Sequence, residues 1–177
     1  MNIRSIARKL SSADGAEIAE AALVLPLVFM LLLGIVWFGR AFNIYSTITQ
    51  AAQQGAIKAA RPFCATCGNN FPDNFSVRTS VDAVLAASNL DPNQILSNPN
   101  PPAPVSCVDP PLTCQTTSNH ITICRQVLLN ASSGTTQPPQ CGVVVSFQYP
   151  FQLYLPFTSL NLQQVVMTAQ AQSRMEN

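Results

Sequence analysis

The reading of this chain starts from Gly15-Ala16-Glu17-Ile18-Ala19-Glu20 and the run that follows it, Ala21-Ala22-Leu23-Val24-Leu25-Pro26-Leu27-Val28-Phe29-Met30 and on to Gly39. Residues 21–39 carry no charged side chain. Coiled as a helix at about 1.5 Å per residue they extend roughly 28 Å, which matches a hydrocarbon core of about 30 Å. The stretch therefore reads as a membrane-spanning helix. Pro26 lies inside it and removes one intrahelical hydrogen bond, so a kink is expected there.

Arg4, Arg8 and Lys9 precede the run and Arg40 follows it. This excess of positive charge predicts a cytoplasmic N-terminus and an outer location for everything after Arg40. A secretory signal has a shorter apolar core, about 7–15 residues, followed by a small-residue cleavage site. Residues 33–40 offer no such site, so the helix is expected to be retained. Two readings of Glu20 stand side by side. With Glu17 it could simply place negative charge at a helix N-terminus, where the macrodipole favours it by roughly 0.3–1 kcal/mol. A carboxylate at the edge of a span also commonly has a partner or a function.

Outward from the span, Phe42, Tyr45, Ile48, Ala52, Gly55, Ala56 and Ala59 keep helical spacing, and Pro62 ends the helix after Arg61. Ala52, Gly55, Ala56 and Ala59 form a narrow face that admits close approach of another backbone. Packing of that face on the chain's own outer domain is preferred over packing on another subunit. Residues 75–90 read as a second helix with Val77, Val81, Val84 and Leu85 on its apolar face, closed by Asp91-Pro92. Residues 97–119 are rich in proline and read as an irregular connection with a short extended piece near 105–108. Residues 120–129, 143–151 and 165–172 read as strands. The expected fold is α+β: a leader over 1–15, a spanning and extended helix over 16–61, and an outer domain over 62–177 with a small antiparallel sheet packed on that helix.

The six cysteines, Cys64, Cys67, Cys107, Cys114, Cys124 and Cys141, all follow the span. In an oxidising compartment the even count favours three disulfides among 15 possible pairings. Local bridges are the preferred expectation: Cys64 with Cys67, Cys107 with Cys114, Cys124 with Cys141. The C-x-x-C spacing at Cys64 could serve thiol redox chemistry, but it follows a helix instead of opening one. Zinc would need further ligands, and His120 is the single histidine.

Only 10% of residues are charged and the net charge is +1, so no basic surface suits a nucleic acid. Asp73, Asp82, Asp91 and Asp109 read as turn and cap residues, and no nucleophile with base and orienting group can be assembled. The expectation is a non-enzymatic protein without metal, cofactor or small-molecule substrate.

A basic leader ending in Gly15, then Ala16, with Glu20 five places after the glycine and an apolar helix beyond, resembles the processing site of type IV pilins and pseudopilins. Three blocks narrow this: Glu20-Ala21-Ala22-Leu23-Val24-Leu25-Pro26-Leu27, residues 51–61, and Gln170-Ala171-Gln172-Ser173-Arg174-Met175-Glu176. Together they resemble the TadE-like family, pseudopilin-type components of tight-adherence (Flp, type IVc) pilus systems. The resemblance implies a single-pass subunit of the bacterial inner membrane, cut after Gly15 by a prepilin peptidase. Glu20 then pairs with the new amine at Ala16 of a neighbour. The helix through Pro26, Ala52, Gly55, Ala56 and Ala59 assembles with other pilin subunits and the pilus machinery. The alternative is a permanently anchored binding or thiol-redox module of the cell envelope.

Overall fold

The computed structural model describes residues 13–62, 70–98, 104–107, 114–130, 138–152 and 164–175. Its first element, α1, runs from Ala13 to Ala60 without interruption at Pro26. Then come α2 (Asn74–Ala87), a 3₁₀ turn (Pro92–Gln94), and strands β1 (Cys114–Thr116), β2 (Thr122–Leu128), β3 (Cys141–Phe151) and β4 (Val165–Arg174). The strands form one antiparallel meander in the order β1-β2-β3-β4. This is the α+β architecture expected, with one more strand. The chain divides into two compact units, Met1–Phe42 and Asn43–Asn177.

In the first unit the apolar side chains of α1 are left uncovered. In the second, the remainder of α1 is a core element. Ile48, Ala51, Ala52, Ala56 and Ala59 are fully buried with Val77, Val81 and Leu85 of α2 and with Ile121, Ile123, Val143, Val145 and Phe147 from the sheet side. Gly55 is buried among them, and a Cβ there would lie 2.7 Å from Val81 Cγ2 and 3.5 Å from Val145 Cγ1. A glycine is required because α2 and β3 both approach the α1 backbone at this point. The small-residue face of Ala52, Gly55, Ala56 and Ala59 thus packs inside the chain's own fold, the arrangement preferred over packing on another subunit.

Local signals explain the shorter elements. Asp73 caps α2 by accepting from Ser76 N at 3.1 Å, and the hydrogen bonds from Ser76 hold its carboxyl below the usual carboxylate range. The helix closes earlier than the expected 90. Asn89 turns to φ 57°, Asn89 N donates to Ala86 O and Leu90 N to Leu85 O, which is a Schellman end. Asp91 then caps the 3₁₀ turn through Asn93 N at 2.9 Å.

Inward side chains of β3 face the helices, while Val144 joins Cys124, Val127 and Leu129 in a second, smaller cluster. β3 is therefore buried on both sides. β2 is bulged between Arg125 and Val127, with Gln126 at φ 60°. Arg125 lies on the same side of β2 as Ile123 and so points toward the helices, where it donates to Pro72 O at 2.6 Å, Asn74 Oδ1 at 3.1 Å and Ala59 O at 3.5 Å, while the bulge after it puts Val127 on the opposite side with Cys124. One half-buried guanidinium thereby satisfies a carbonyl near the end of α1 and the turn before α2, although burial lowers its pKa. Beyond the bulge, Gly142 faces Ser173 O so closely that a Cβ would meet it at 2.5 Å.

Three expectations are corrected here. The stretch 97–119 is not wholly irregular: β1 lies in it, and Ser106 bridges Val127 where an extended piece was anticipated. His120 is not in a strand but in the turn between β1 and β2, at φ 60°, donating from its N–H to Thr117 O. That turn is fastened to α2 by Arg78 Nη1 donating to Ser118 Oγ at 2.8 Å. Finally, the bridges are Cys114–Cys124 and Cys107–Cys141, not Cys107–Cys114 and Cys124–Cys141. Strand register decides the first, since Cys114 and Cys124 are direct partners in the β1–β2 ladder. The second clasps the segment docked at the bulge, where Cys107 N donates to Gln126 O, to the start of β3. Sequence proximity was a poor guide because loop closure costs only about 0.6 kcal/mol more per doubling of length. Cys64 and Cys67 lie outside the described residues.

Two predictions follow from this packing. Gly55→Val should destabilise the second unit by about 1–3 kcal/mol through overpacking against Val81 and Val145, whereas Gln53→Val on the exposed side of α1 should change it far less. Thermal unfolding of the full chain in detergent reads both. Non-reducing peptide mapping should recover 107 linked to 141 and 114 linked to 124. Replacing the first pair by serine should cost about 1 kcal/mol more than replacing the second, because it closes 34 residues and not 10.

Candidate functional site

The candidate site is the stretch of α1 that nothing covers. Leu23, Met30 and Phe38 are 75%, 76% and 82% exposed, and Leu25, Leu27, Phe29, Ile35 and Val36 are exposed as well. None of the most apolar 18-residue window of this helix is buried. A soluble core helix would show the opposite. Apolar side chains on every side of a helix, all uncovered, need an apolar surround, either hydrocarbon or other helices. In length and composition the helix can cross a membrane.

Both ends of the apolar stretch carry polar chemistry. At the N-terminal end Gly15 and Ala16 lie in the first turn of α1, and Glu17 and Glu20 are exposed one turn further on. Among the described residues Glu20 has no ion-pair partner within the chain. At the other end Arg40 lies over the Trp37 ring, 5.8 Å from its centroid. This is a cation–π pair at helical i,i+3 spacing, and tryptophan with arginine is the combination that settles at a headgroup boundary. In the sequence Arg40 reads only as a flanking charge and Trp37 as one more apolar residue. Their spacing was the available signal.

Other candidates have local duties. Asp82 pairs with Arg78 at 3.2 Å, Asp73 and Asp91 are caps, and His120 is exposed in its turn. Asp109 lies outside the described residues. Among the described residues no three His, Cys, Asp or Glu side chains come together as a metal site. An open cleft of about 580 Å³ lies between the end of α1 and α2, lined by Gln54, Lys58, Arg61, Pro72, Ser80 and Val84 among others.

The geometry defines a class: a membrane-anchored protein with one candidate spanning helix and a disulfide-bonded α+β unit. Within that class, a family model described as TadE-like protein matches residues 15–56, so this stretch of α1 is similar to that family. The match begins at Gly15 and ends at Ala56 in the core. Of the three blocks that suggested the resemblance, the first lies inside it, the second lies partly inside, and 170–176 lies beyond it, at the end of β4. No curated protein and no solved structure matches the chain.

If the exposed stretch is the membrane anchor, charge placed in its middle should disable it. The double variant Met30→Arg with Leu31→Arg carries a cost of about 2.5–3.5 kcal/mol per arginine on insertion scales. Its predicted result is release from membranes under alkaline extraction. Gln53→Arg, on an exposed position of the second unit, should leave the protein membrane-bound.

Proposed function

We propose that this chain is a pseudopilin-type component of a tight-adherence pilus system, held in the bacterial inner membrane by α1 with its N-terminus in the cytoplasm. The observation that carries the reading is the TadE-like match over 15–56, which takes in the whole uncovered part of α1 and starts at the glycine of the processing motif. A prepilin peptidase cuts between Gly15 and Ala16. The cut frees an ammonium group at Ala16, and the exposed, unpaired Glu20 carboxylate is the group in the right place to receive it from a neighbouring subunit.

The protein works by assembly and not by catalysis. Its contact surface for pilin subunits and pilus machinery is the exposed apolar part of α1 around Pro26, since the small-residue face is occupied within the chain. The bilayer holds the subunit until transfer, because helix-to-helix contact replaces lipid contact at little net hydrophobic cost. No nucleic acid or small-molecule substrate takes part.

The N-terminal mass of the protein extracted from its native membrane tests this. The expected mature chain starts at Ala16, and Gly15→Leu should leave the leader attached and abolish assembly. A wild-type chain still starting at Met1 would overturn the processing step and favour a permanent envelope anchor.

A further inference from the structure

β4 is an edge strand, and its free edge has an unusual regularity. Its ladder with β3 runs unbroken from Gly142↔Arg174 to Phe151↔Val165, without a bulge. The strand contains no proline and one charged residue, Arg174. Edge strands are commonly blunted by bulges, prolines or lysines, and β4 has none of these.

The hydrogen bonds fix which groups point outward. Met175 N donates to Cys141 O, so the odd-numbered positions of β4 are those bonded to β3. Gln148, the partner of Thr168, gives both its N–H and its C=O to Leu96, at 3.0 and 2.8 Å, so Thr168 must direct its own groups away from β3. Both observations give one parity. Val166, Thr168, Gln170, Gln172 and Arg174 therefore present their N–H and C=O groups at the free edge. All five are exposed, and among the described residues no strand pairs with them.

We propose that this edge is a strand-addition surface that pairs with β4 of a second copy of the chain. Pairing must be antiparallel about a two-fold centred on Gln170, which opposes Gln170 to itself, Thr168 to Gln172 and Val166 to Arg174. Every position with outward groups then meets another, giving roughly ten backbone hydrogen bonds. The side chains are self-compatible. The two Arg174 charges fall at opposite ends of the pairing, each with its aliphatic stem along a valine, and the centre joins neutral hydrogen-bonding groups. A two-stranded seam of this kind merges two four-stranded sheets into one and buries both edges.

The test uses the full chain in bilayers. Across the proposed two-fold, position 170 faces its own copy at about 5.5 Å, within disulfide reach, whereas position 172 lies roughly 14 Å from its copy, outside it. On mild oxidation Gln170→Cys is expected to give a disulfide-linked dimer on a non-reducing gel, and Gln172→Cys is not. A mixture of Thr168→Cys and Gln172→Cys chains should restore the dimer. Added to both chains of that mixture, Gln170→Pro removes an outward N–H without touching the β3 ladder, and should abolish the cross-linked dimer while leaving thermal unfolding unchanged. No dimer from Gln170→Cys, equal yields from 170 and 172, or capture of another protein in place of a second copy would each overturn the proposal.

Discussion

Everything in the unit Asn43–Asn177 depends on the close approach of α2 and β3 to the backbone of α1 at Gly55. The nearest side-chain atom, Val81 Cγ2, lies within 2.7 Å of where a Cβ would stand. Around it, Ala52, Ala56 and Ala59 keep the same stripe shallow, so valines from the second helix and the sheet fill the space that larger residues on α1 would take. Small residues cost helix propensity at glycine and contribute little buried area of their own. Their use makes sense where two elements must be seated on one helix that is already committed, further along, to a different surround.

That commitment divides α1 by solvent. Up to Phe42 its side chains are uncovered and apolar; from Ile48 they are the floor of a protein core. One helix carries both requirements because the pattern changes from apolar on every side to apolar on one side. The second unit adds its own fastening. Arg125, on the same side of β2 as Ile123, ties the end of α1 and the turn before α2 to the sheet, and two disulfides hold the proline-rich connections against β2 and β3. Cross-links of this sort matter most in a domain whose loops bury little.

The features legible in the sequence were those with a long or repeated signal. Residues 21–39 announce a span by length alone, Val77, Val81 and Leu85 mark the buried side of α2, and Val143, Val145 and Phe147 alternate as β3 does in the fold. What escaped was set by register and not by composition. Cys114-Gln115-Thr116 is too short to show periodicity, and becomes a strand because β2 is there to receive it. The disulfide partners follow from that pairing, which no spacing rule contains. The bulge at Gln126 and the left-handed turn at His120 place ordinary residues at φ values that favour glycine or asparagine. The site was half visible: Glu20 stood out as a carboxylate beside an apolar run, but Trp37 looked like one more apolar residue until Arg40 was seen over its ring.

The central claim is that the uncovered half of α1 sits in a bilayer with Trp37 at its boundary. The chain has one tryptophan, so its fluorescence reports that position without substitution. In vesicles whose lipids carry bromine at graded depths along the acyl chain, the account predicts blue-shifted emission quenched most strongly by the shallowest label. Emission typical of water and indifferent to every label would contradict it.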